Sequence, residues 1–417
     1  MAYVAFDVNK GIISVSEDPK EAHAAAVFYA KKEGDTGVGF DAEQGHDNAR
    51  RHSNPPPLQI SGLDPLSERE VMSLSPEDAH SVLAPYFPVQ SGRGYAPYTP
   101  GTAQPLHIVQ ARGFLKQNAK LSKDEVDESL GERPSVAYGL SLIPAHYGYD
   151  MIDSNQKSIL VPDKRWAAAN KFAASLRPAE PFNLCPWSTP ECRRSCLVKT
   201  GQNDAVKNYS KLLMTFALQN HPREFVRLLI HSLDKYFFSP PPRIADKFRF
   251  VRLNVYSDIV WEQFVPWLFA RYPAEVGGYY DYTKIASRIG NTPYNYDLTF
   301  SYSGEAMNIK QCLSFLRDEI TRCAVVFLVG KNEWKDKFKH GPTTFMGFPV
   351  VNGDRHDFRP FDPKGVWTAL RWKTPKGLKA AGGVSIIKKF VVRADLIDGE
   401  WITSVQPRAT PTVEEIE

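Results

Sequence analysis

The spacing of hydrophobic positions changes at about residue 136 and divides the chain into two regions. Beyond that point, short runs alternate apolar and polar residues, which is typical of strands, and longer runs repeat every three to four residues, which is typical of helices. The predicted helices are 163–176, 204–220, 221–238, 259–273 with a kink at Pro266, and 305–320. The predicted strands are 248–258, 277–284, 296–303, 323–330, 347–354, 366–373 and 388–395. Strands separated by helix-length connections predict parallel βαβ units, and hence an α/β fold with a partial or complete (β/α) barrel.

Residues 1–135 show weaker periodicity and dense Gly and Pro punctuation, as in "FPVQSGRGYAPYTPGTAQP". Such composition favours extended, irregular backbone. One short helix is predicted in "SPEDAHSVLAPYF", with Ser75 as its N-cap and Pro76 in its first position. The sequence thus predicts an irregular N-terminal extension over 1–135, a barrel-like domain over 136–400 and a C-terminal tail over 401–417.

Composition narrows the classes of protein that the chain can belong to. It has 417 residues, of which 42% are hydrophobic and 24% charged, as in ordinary soluble globular proteins. Its 51 basic residues are nearly matched by 47 acidic ones, which permits contact with nucleic acid without arguing for it. No secretory signal and no run of eighteen apolar residues is visible, so we expect a cytoplasmic protein without a membrane partner. Neither G-x-G-x-x-G nor a Walker motif occurs.

Three of the five cysteines lie within "NLCPWSTPECRRSCLVKTG", at positions 185, 192 and 196. An odd number of cysteines in a chain without an export signal argues against a disulfide framework. Thiolates suit zinc and iron–sulfur clusters. Structural zinc sites use closely spaced cysteine pairs and four ligands, whereas Cys185, Cys192 and Cys196 would hold a [4Fe–4S] cluster by three irons and leave one iron open. Zinc, with a distant fourth ligand, and unligated thiols remain alternatives.

Polar residues collect where the predicted strands end. Ligands of parallel α/β folds bind at the carboxyl ends of the strands, so these residues are the candidates for a site. The candidate catalytic residues are Asp258, Lys284 and His356. The candidates for binding a cofactor or substrate are Asn254, Ser301, Glu305, Asp354 and Arg359.

Two of these candidates have alternative interpretations. Lys284 fits a desolvated nucleophile, but an ion pair with Asp258 or Asp281 is the more common role for such a lysine. His356 fits a metal ligand or an acid–base group, or a loop histidine hydrogen-bonded to neighbouring carboxylates. The two remaining cysteines fall in an apolar helix and at the start of a strand, which predicts core positions.

Four segments carry a family resemblance: "NLCPWSTPECRRSCLVKTGQ", "FVRLNVYSDIVWE", "YYDYTK" and "NGDRHDFRPFDPKG". Together they resemble a family of actinobacteriophage proteins of the mycobacteriophage type. The resemblance covers most of 180–395 and none of the first 135 residues. It implies a phage-encoded protein of the host cytoplasm and brings no particular activity.

Three cysteines leading into a barrel also resemble, more loosely, the radical S-adenosylmethionine (SAM) enzymes. Those enzymes use C-x3-C-x2-C, whereas the spacing here is C-x6-C-x3-C, and "YSGE" at 302–305 is only a weak counterpart of their Gly-Gly-Glu segment. The resemblance implies a [4Fe–4S] cluster, SAM as a second cofactor and a substrate of unknown identity. The alternative function is a metal-stabilised protein that binds a host protein or nucleic acid without catalysis.

Overall fold

A computed structural model describes the chain in several stretches around one central sheet. The described residues are 3–7, 11–16, 38–40, 63–87, 90–91, 94–95, 114–116, 135–144, 167–179, 183–199, 205–272, 274, 277–329, 342–355, 357–373, 390–397 and 400–403. The strands are β1 (Tyr3–Asp7), β2 (Gly11–Ser16), β3 (Val38–Phe40), β4 (Gln90–Ser91), β5 (Gly94–Tyr95), β6 (Leu115–Lys116), β7 (Ser135–Leu140), β8 (Phe248–Arg252), β9 (Gly277–Thr283), β10 (Tyr296–Ser301), β11 (Cys323–Leu328), β12 (Thr344–Phe345), β13 (Phe348–Asn352), β14 (Trp367–Arg371), β15 (Val391–Ile397) and β16 (Glu400–Thr403).

The α-helices are mostly short, with two long ones between β7 and β8. They are α1 (Glu68–Met72), α2 (Pro76–Leu83), α3 (Ala167–Ser175), α4 (Pro190–Arg194), α5 (Ala205–Asn220), α6 (Pro222–Phe238), α7 (Trp261–Phe264), α8 (Leu268–Arg271) and α9 (Ala306–Arg317). Single 3-10 turns cover Ala84–Tyr86, Leu197–Lys199, Pro242–Ile244 and Ala286–Arg288. Among the described helices, none combines the length and apolar character needed to cross a bilayer.

The central sheet is mostly parallel and runs in the order β12-β13-β14-β11-β10-β9-β8-β7-β6. Neighbours from β13 to β7 are parallel, and β12 and β6 are antiparallel at the two ends. The predicted α/β architecture is therefore confirmed. Within the described residues the sheet does not close on itself, so the barrel stays a prediction.

The last strands join the sheet at an unusual place. β10 pairs with only the start of β11, at Cys323 and Ala324. β15 takes the same edge of β11 further along, at Val326–Leu328, and β16 pairs antiparallel with β15. The C-terminal strands therefore lie just beyond the carboxyl end of β10.

The sheet is covered on both faces, as alternation along β9 shows. Tyr279 packs against Phe237 of α6 and Phe269 of α8 on one face. Tyr280 packs on the other face against Phe358, in the segment that follows β13. Successive strand side chains point to opposite faces, so a strand covered on both sides is apolar almost throughout.

Part of the predicted irregular extension shares this core. Val71 of α1 and Leu83 of α2 are buried in the same hydrophobic cluster as α6. Backbone contacts fix the segment as well, since Leu66 N donates to Phe264 O at 2.9 Å. The predicted helix after Ser75 is confirmed, with the Ser75 hydroxyl accepting from the backbone of the first turn. The domain division at 135 stays a prediction.

Two elements differ from their predicted bounds. The strand predicted over 248–258 ends at Arg252, because the chain turns there around the side chain of Asn254. The helix predicted over 259–273 is two short helices, α7 and α8, on either side of Pro266. The predicted break at this proline, which has no backbone N–H to continue a helix, is confirmed.

Candidate functional site

The cysteine segment folds as a tight turn followed by one turn of helix. Cys185 N donates to Asn183 Oδ1 at 2.8 Å, and the Ser188 hydroxyl donates to Cys185 O at 2.7 Å. Thr189 then caps α4, its hydroxyl accepting from Cys192 N at 3.2 Å. These local bonds place Cys192 inside the helix and Cys196 just after it. No residue of 183–199 lies in a strand.

This segment docks at the carboxyl end of the sheet. Asp258 N donates to Leu184 O at 2.8 Å, which ties the residue before Cys185 to the turn after β8. Lys284 follows the last residue of β9, and its ammonium group lies near Cys192 and Cys185, whose charges raise its pKa. We call Cys185, Cys192, Cys196 and Lys284 the thiol corner. The structure therefore brings together the three candidate metal ligands and the candidate lysine.

The electrostatics of the thiol corner oppose free thiolates. Burial raises the pKa of Cys185 well above its usual range, and the nearby charges of Asp258, Cys192 and Cys196 add to this, while Lys284 acts in the opposite direction. Burial by itself lowers the pKa of Lys284, but Cys192, Cys185 and Asp258 outweigh it and leave that pKa raised. Burial and the neighbouring negative charges thus favour the neutral thiol of Cys185 over its thiolate.

The donor chemistry of the corner fits a thiophilic metal. All five cysteines are free thiols. Thiolates are the ligands that zinc and iron–sulfur clusters prefer. Over the described part of the chain, no group of three or more Cys, His, Asp or Glu side chains is already placed to hold a metal ion. Binding would therefore require the three sulfurs to turn toward one another.

Cys312 and Cys323 lie outside the corner in the role that the sequence predicts. Both side chains are fully buried in the hydrophobic core. The Cys323 sulfur lies 3.6 Å from the Cys312 carbonyl oxygen, between α9 and β11. Their predicted core positions are confirmed.

A cleft opens beside the thiol corner. Its enclosed volume is about 50 Å³, and its walls include Trp187, Thr189, Lys284 and Glu305. This volume holds a few water molecules, so a larger ligand would extend into the open mouth of the cleft. Two of the residues predicted from strand ends, Lys284 and Glu305, thus line one cleft.

Ser301 lies at the base of the same wall. Its carbonyl oxygen accepts from Asn308 Nδ2 at 3.0 Å, and Asn308 Oδ1 accepts from Ser303 N at 2.7 Å. The side chain of Asn308 therefore fixes the turn between β10 and α9, and both Ser303 and Asn308 line the cleft.

Asp258 joins the cleft wall to the rest of the fold. Its carboxylate accepts from Lys284 N at 3.0 Å and from Arg288 Nη1 at 2.9 Å. The residue is only 4% exposed. The side chain of Asn254 is also engaged in hydrogen bonds within the fold. Its Oδ1 accepts from Ser257 Oγ and Ile259 N, and its Nδ2 donates to Ile259 O. These contacts shape the turn after β8, and the predicted binding role of Asn254 stays a prediction.

Sequence reasoning missed the importance of Asp281. This residue is fully buried on β9, and its carboxylate accepts from Tyr296 Oη at 2.7 Å and Asn254 N at 2.8 Å. Burial raises the pKa of Asp281 to about 7, against the opposing effects of Arg252, Tyr296, Asn254 and Arg288. The available signal was an aspartate on the inward face of an otherwise aromatic strand, "YYDYT".

Asp354 and Arg359 belong to a second polar cluster, on the sheet face that carries Tyr280. Arg359 is fully buried, with Nη1 2.6 Å from Asp362 and Nη2 donating to Gly353 O. Asp354 accepts from Arg371 N at 3.1 Å. His356 lies outside the described residues. The binding roles predicted for Asp354 and Arg359 stay predictions.

The C-terminal strand also reaches the thiol corner, which the sequence did not reveal. Phe390 N donates to Glu191 Oε2 of α4 at 2.7 Å. The Phe390 ring centre lies 5.4 Å from Lys284 Nζ. The residue before β15 therefore covers the lysine and is tied to the cysteine helix.

Comparison with known proteins gives one match, to a family. No curated protein and no solved structure matches the chain. The sequence model of the family described as Gene product 88 matches residues 115–391, which contain the central sheet, the thiol corner and the cleft. The match begins earlier than the stretch in which the phage resemblance was visible and includes β6 and β7. The chain therefore belongs to the Gene product 88 family, a family of phage-type gene products.

Proposed function

We propose that the chain is an iron–sulfur protein in which Cys185, Cys192 and Cys196 hold a [4Fe–4S] cluster and the adjacent cleft takes a substrate. The observation that carries this proposal is the contact of the cysteine segment with Lys284 at the carboxyl end of β9. Parallel sheets place their ligands at this edge. A cluster bound by three thiolates would leave one iron for a further ligand.

The charges of the corner support a bound cation. Each thiolate in this group would make it harder for the neighbouring thiols to ionise. Burial is the largest cause of the raised pKa of Cys185, and Cys192 and Cys196 add to it. A metal replaces the thiol protons and removes this repulsion. Lys284 offsets part of the negative charge that three thiolates and bridging sulfides would carry.

The cleft gives the cluster a place to act. Lys284 lies near Cys192 and also lines the cleft, so a ligand there would lie beside the metal. When bound, a reduced cluster supplies one electron to a ligand at its open iron. SAM is the finer candidate for that ligand, with Glu305 of the cleft wall and Ser301 at the end of β10 as its proposed contacts. Lys284 would hold an anionic group of the substrate.

The second candidate function is a zinc-stabilised protein that binds a host protein or nucleic acid. It is favoured by the hydrogen bond from Phe390 N to Glu191 Oε2, which joins α4, the helix that contains Cys192, to the start of β15. A metal at this point would staple two distant parts of the chain, as structural zinc does. The cleft would then be a recognition surface.

Metal analysis of anaerobically purified protein tests the proposal. A brown protein with broad visible absorption and about four irons per chain is expected. Replacing Cys185, Cys192 or Cys196 by serine should abolish the colour. Cys312→Ser is the matched control, because this buried thiol belongs to the core and its loss should leave the iron content unchanged. A colourless protein with one zinc per chain would refute the iron–sulfur proposal and favour the zinc-stabilised binding protein.

A second measurement separates the finer alternatives. If the cluster is present, dithionite-reduced protein should release 5′-deoxyadenosine from SAM. An intact cluster without release would reject SAM as the ligand and leave electron transfer or a structural role.

A further inference from the structure

We propose that Arg288, acting through Asp258, positions the thiol corner, so that both residues tune metal binding without touching the metal. This inference rests on the proposed function for its effect on the metal. Its effect on the arrangement of the thiols can be measured without any metal.

Asp258 is the point where three parts of the site meet. Its backbone N–H holds Leu184, the neighbour of Cys185. One carboxylate oxygen accepts from Lys284 N, which sets the direction in which the lysine leaves β9. The other accepts from Arg288 Nη1. Asp258 therefore contacts both parts of the corner, because its backbone holds the segment of Cys185 and its carboxylate holds Lys284.

Arg288 fixes that carboxylate because its guanidinium is itself fixed. Nε and Nη2 donate to the two carboxylate oxygens of Glu262, at 2.7 and 3.0 Å. Nη2 also donates to Tyr296 Oη at 3.1 Å. Arg288 is 3% exposed. A planar guanidinium held in this way presents Nη1 to Asp258 in one direction, which a lysine cannot reproduce while also holding Glu262.

The charge of Arg288 matters as much as its geometry. The Asp258 carboxylate lies close enough to Cys185 to disfavour a thiolate there. The 2.9 Å contact with Arg288 offsets this negative charge. Without the guanidinium, the corner would combine three thiolates with an uncompensated carboxylate, and metal binding would weaken.

Asp258 is thus a positioning residue rather than a catalytic one. Both of its oxygens are already engaged, and it reaches the cleft only through Lys284 and the cysteine segment. Outer residues that orient metal ligands change metal affinity by about 10- to 100-fold when replaced.

The test compares Arg288→Lys and Asp258→Asn with Glu262→Gln, which alters the other arm of the same guanidinium. Metal-free full-length protein is alkylated with iodoacetamide, and the rate at each cysteine is followed by mass spectrometry. Zn²⁺ affinity is measured separately by competition with a chelator. We expect faster alkylation of Cys185 for Arg288→Lys and Asp258→Asn, and about 10- to 100-fold weaker Zn²⁺ binding for Arg288→Lys. For Glu262→Gln, which removes one of the two acceptors that fix the guanidinium, we expect smaller changes in the same direction as for Arg288→Lys.

The outcomes separate this inference from the proposed function. If all three variants lose Tm alike while alkylation and Zn²⁺ affinity stay at wild-type values, Arg288 is only structural and the inference fails. If wild-type protein binds no metal, the proposed function fails, and the alkylation of Cys185 still decides whether Arg288 positions the corner. Two independent variants keep the test intact if one of them does not fold.

Discussion

Asp281→Asn should remove a large part of the pH dependence of stability. Asp281 is fully buried between the sheet and the helices, with Tyr296 Oη and Asn254 N on its carboxylate. Arg252 Nε lies 3.7 Å away, too far for a hydrogen bond. Two hydrogen bonds and an ion pair without a hydrogen bond do not recover the hydration that an ionised carboxylate loses on burial.

The magnitude follows from the two pKa values. Burial raises the pKa of Asp281 from 3.8 to about 7 in the folded chain. The folded state therefore binds the proton more tightly than the unfolded state, so this contribution is complete below pH 3.8 and is lost as the pH rises toward 7. Each pKa unit corresponds to about 1.4 kcal/mol, which gives about 4 kcal/mol at full ionisation. About 2–3 kcal/mol of this is lost between pH 5 and 8.

Urea unfolding followed by circular dichroism between pH 5 and 8 measures the effect. The free energy of unfolding of the wild type should fall by about 2–3 kcal/mol more than that of Asp281→Asn over this range. Other titrating groups are common to both proteins, so the difference between the two curves isolates Asp281. Parallel curves would refute the reasoning. Tyr296→Phe gives a directional check, because loss of a donor to the carboxylate should move the fall to higher pH.

Two further predictions concern the backbone. Gly277→Ala should lower the free energy of unfolding by more than about 4 kcal/mol or prevent folding, because its φ is +148° and a Cβ would lie 1.6 Å from Arg249 O. Gly347→Ala should lower it by only about 1–2 kcal/mol, because its φ is +82° and no atom lies within 4 Å of the added Cβ. Urea unfolding of both variants checks this, and equal costs would contradict the steric argument. Ser75→Ala should destabilise the chain by about 1 kcal/mol through loss of the cap on α2, and an unchanged Tm would show that the first turn does not need it.

Periodicity predicted the elements well where tertiary contacts agree with local preference. The alternating run at 277–284 is β9, and the amphipathic run at 221–238 is α6. The strand predicted to 258 stops at Arg252, since Asn254 replaces ladder bonds with side-chain bonds to its own turn. Alternation of residue types cannot show such a competition, because an asparagine in a strand pattern looks like any polar position.

For the candidate site, the sequence could predict which residues lie on the same segment or at a strand end, but not which of them are in contact. The cysteine spacing placed three thiols on one short segment, and the strand-end rule singled out Lys284 and Asp258. Their contact depends on how that segment docks, which the hydrogen bond from Asp258 N to Leu184 O and the burial of Leu184 and Val198 in the core help to fix. Asp281 was passed over because its meaning comes from burial, which the sequence does not display.

The position of Phe390 beside the thiol corner depends on the lengths of β10 and β11, which no local sequence pattern encodes. β10 ends at Ser301, while β11 continues to Leu328, so part of one edge of β11 is left for another strand. β15 occupies that edge and carries Phe390 to Lys284 and Glu191. Residues 199 apart in sequence thus meet beside the three cysteines. Proteins cover exposed strand edges, and here the strand that covers the edge of β11 also places Phe390 over the lysine. The same strand therefore completes the sheet edge and forms one side of the thiol corner.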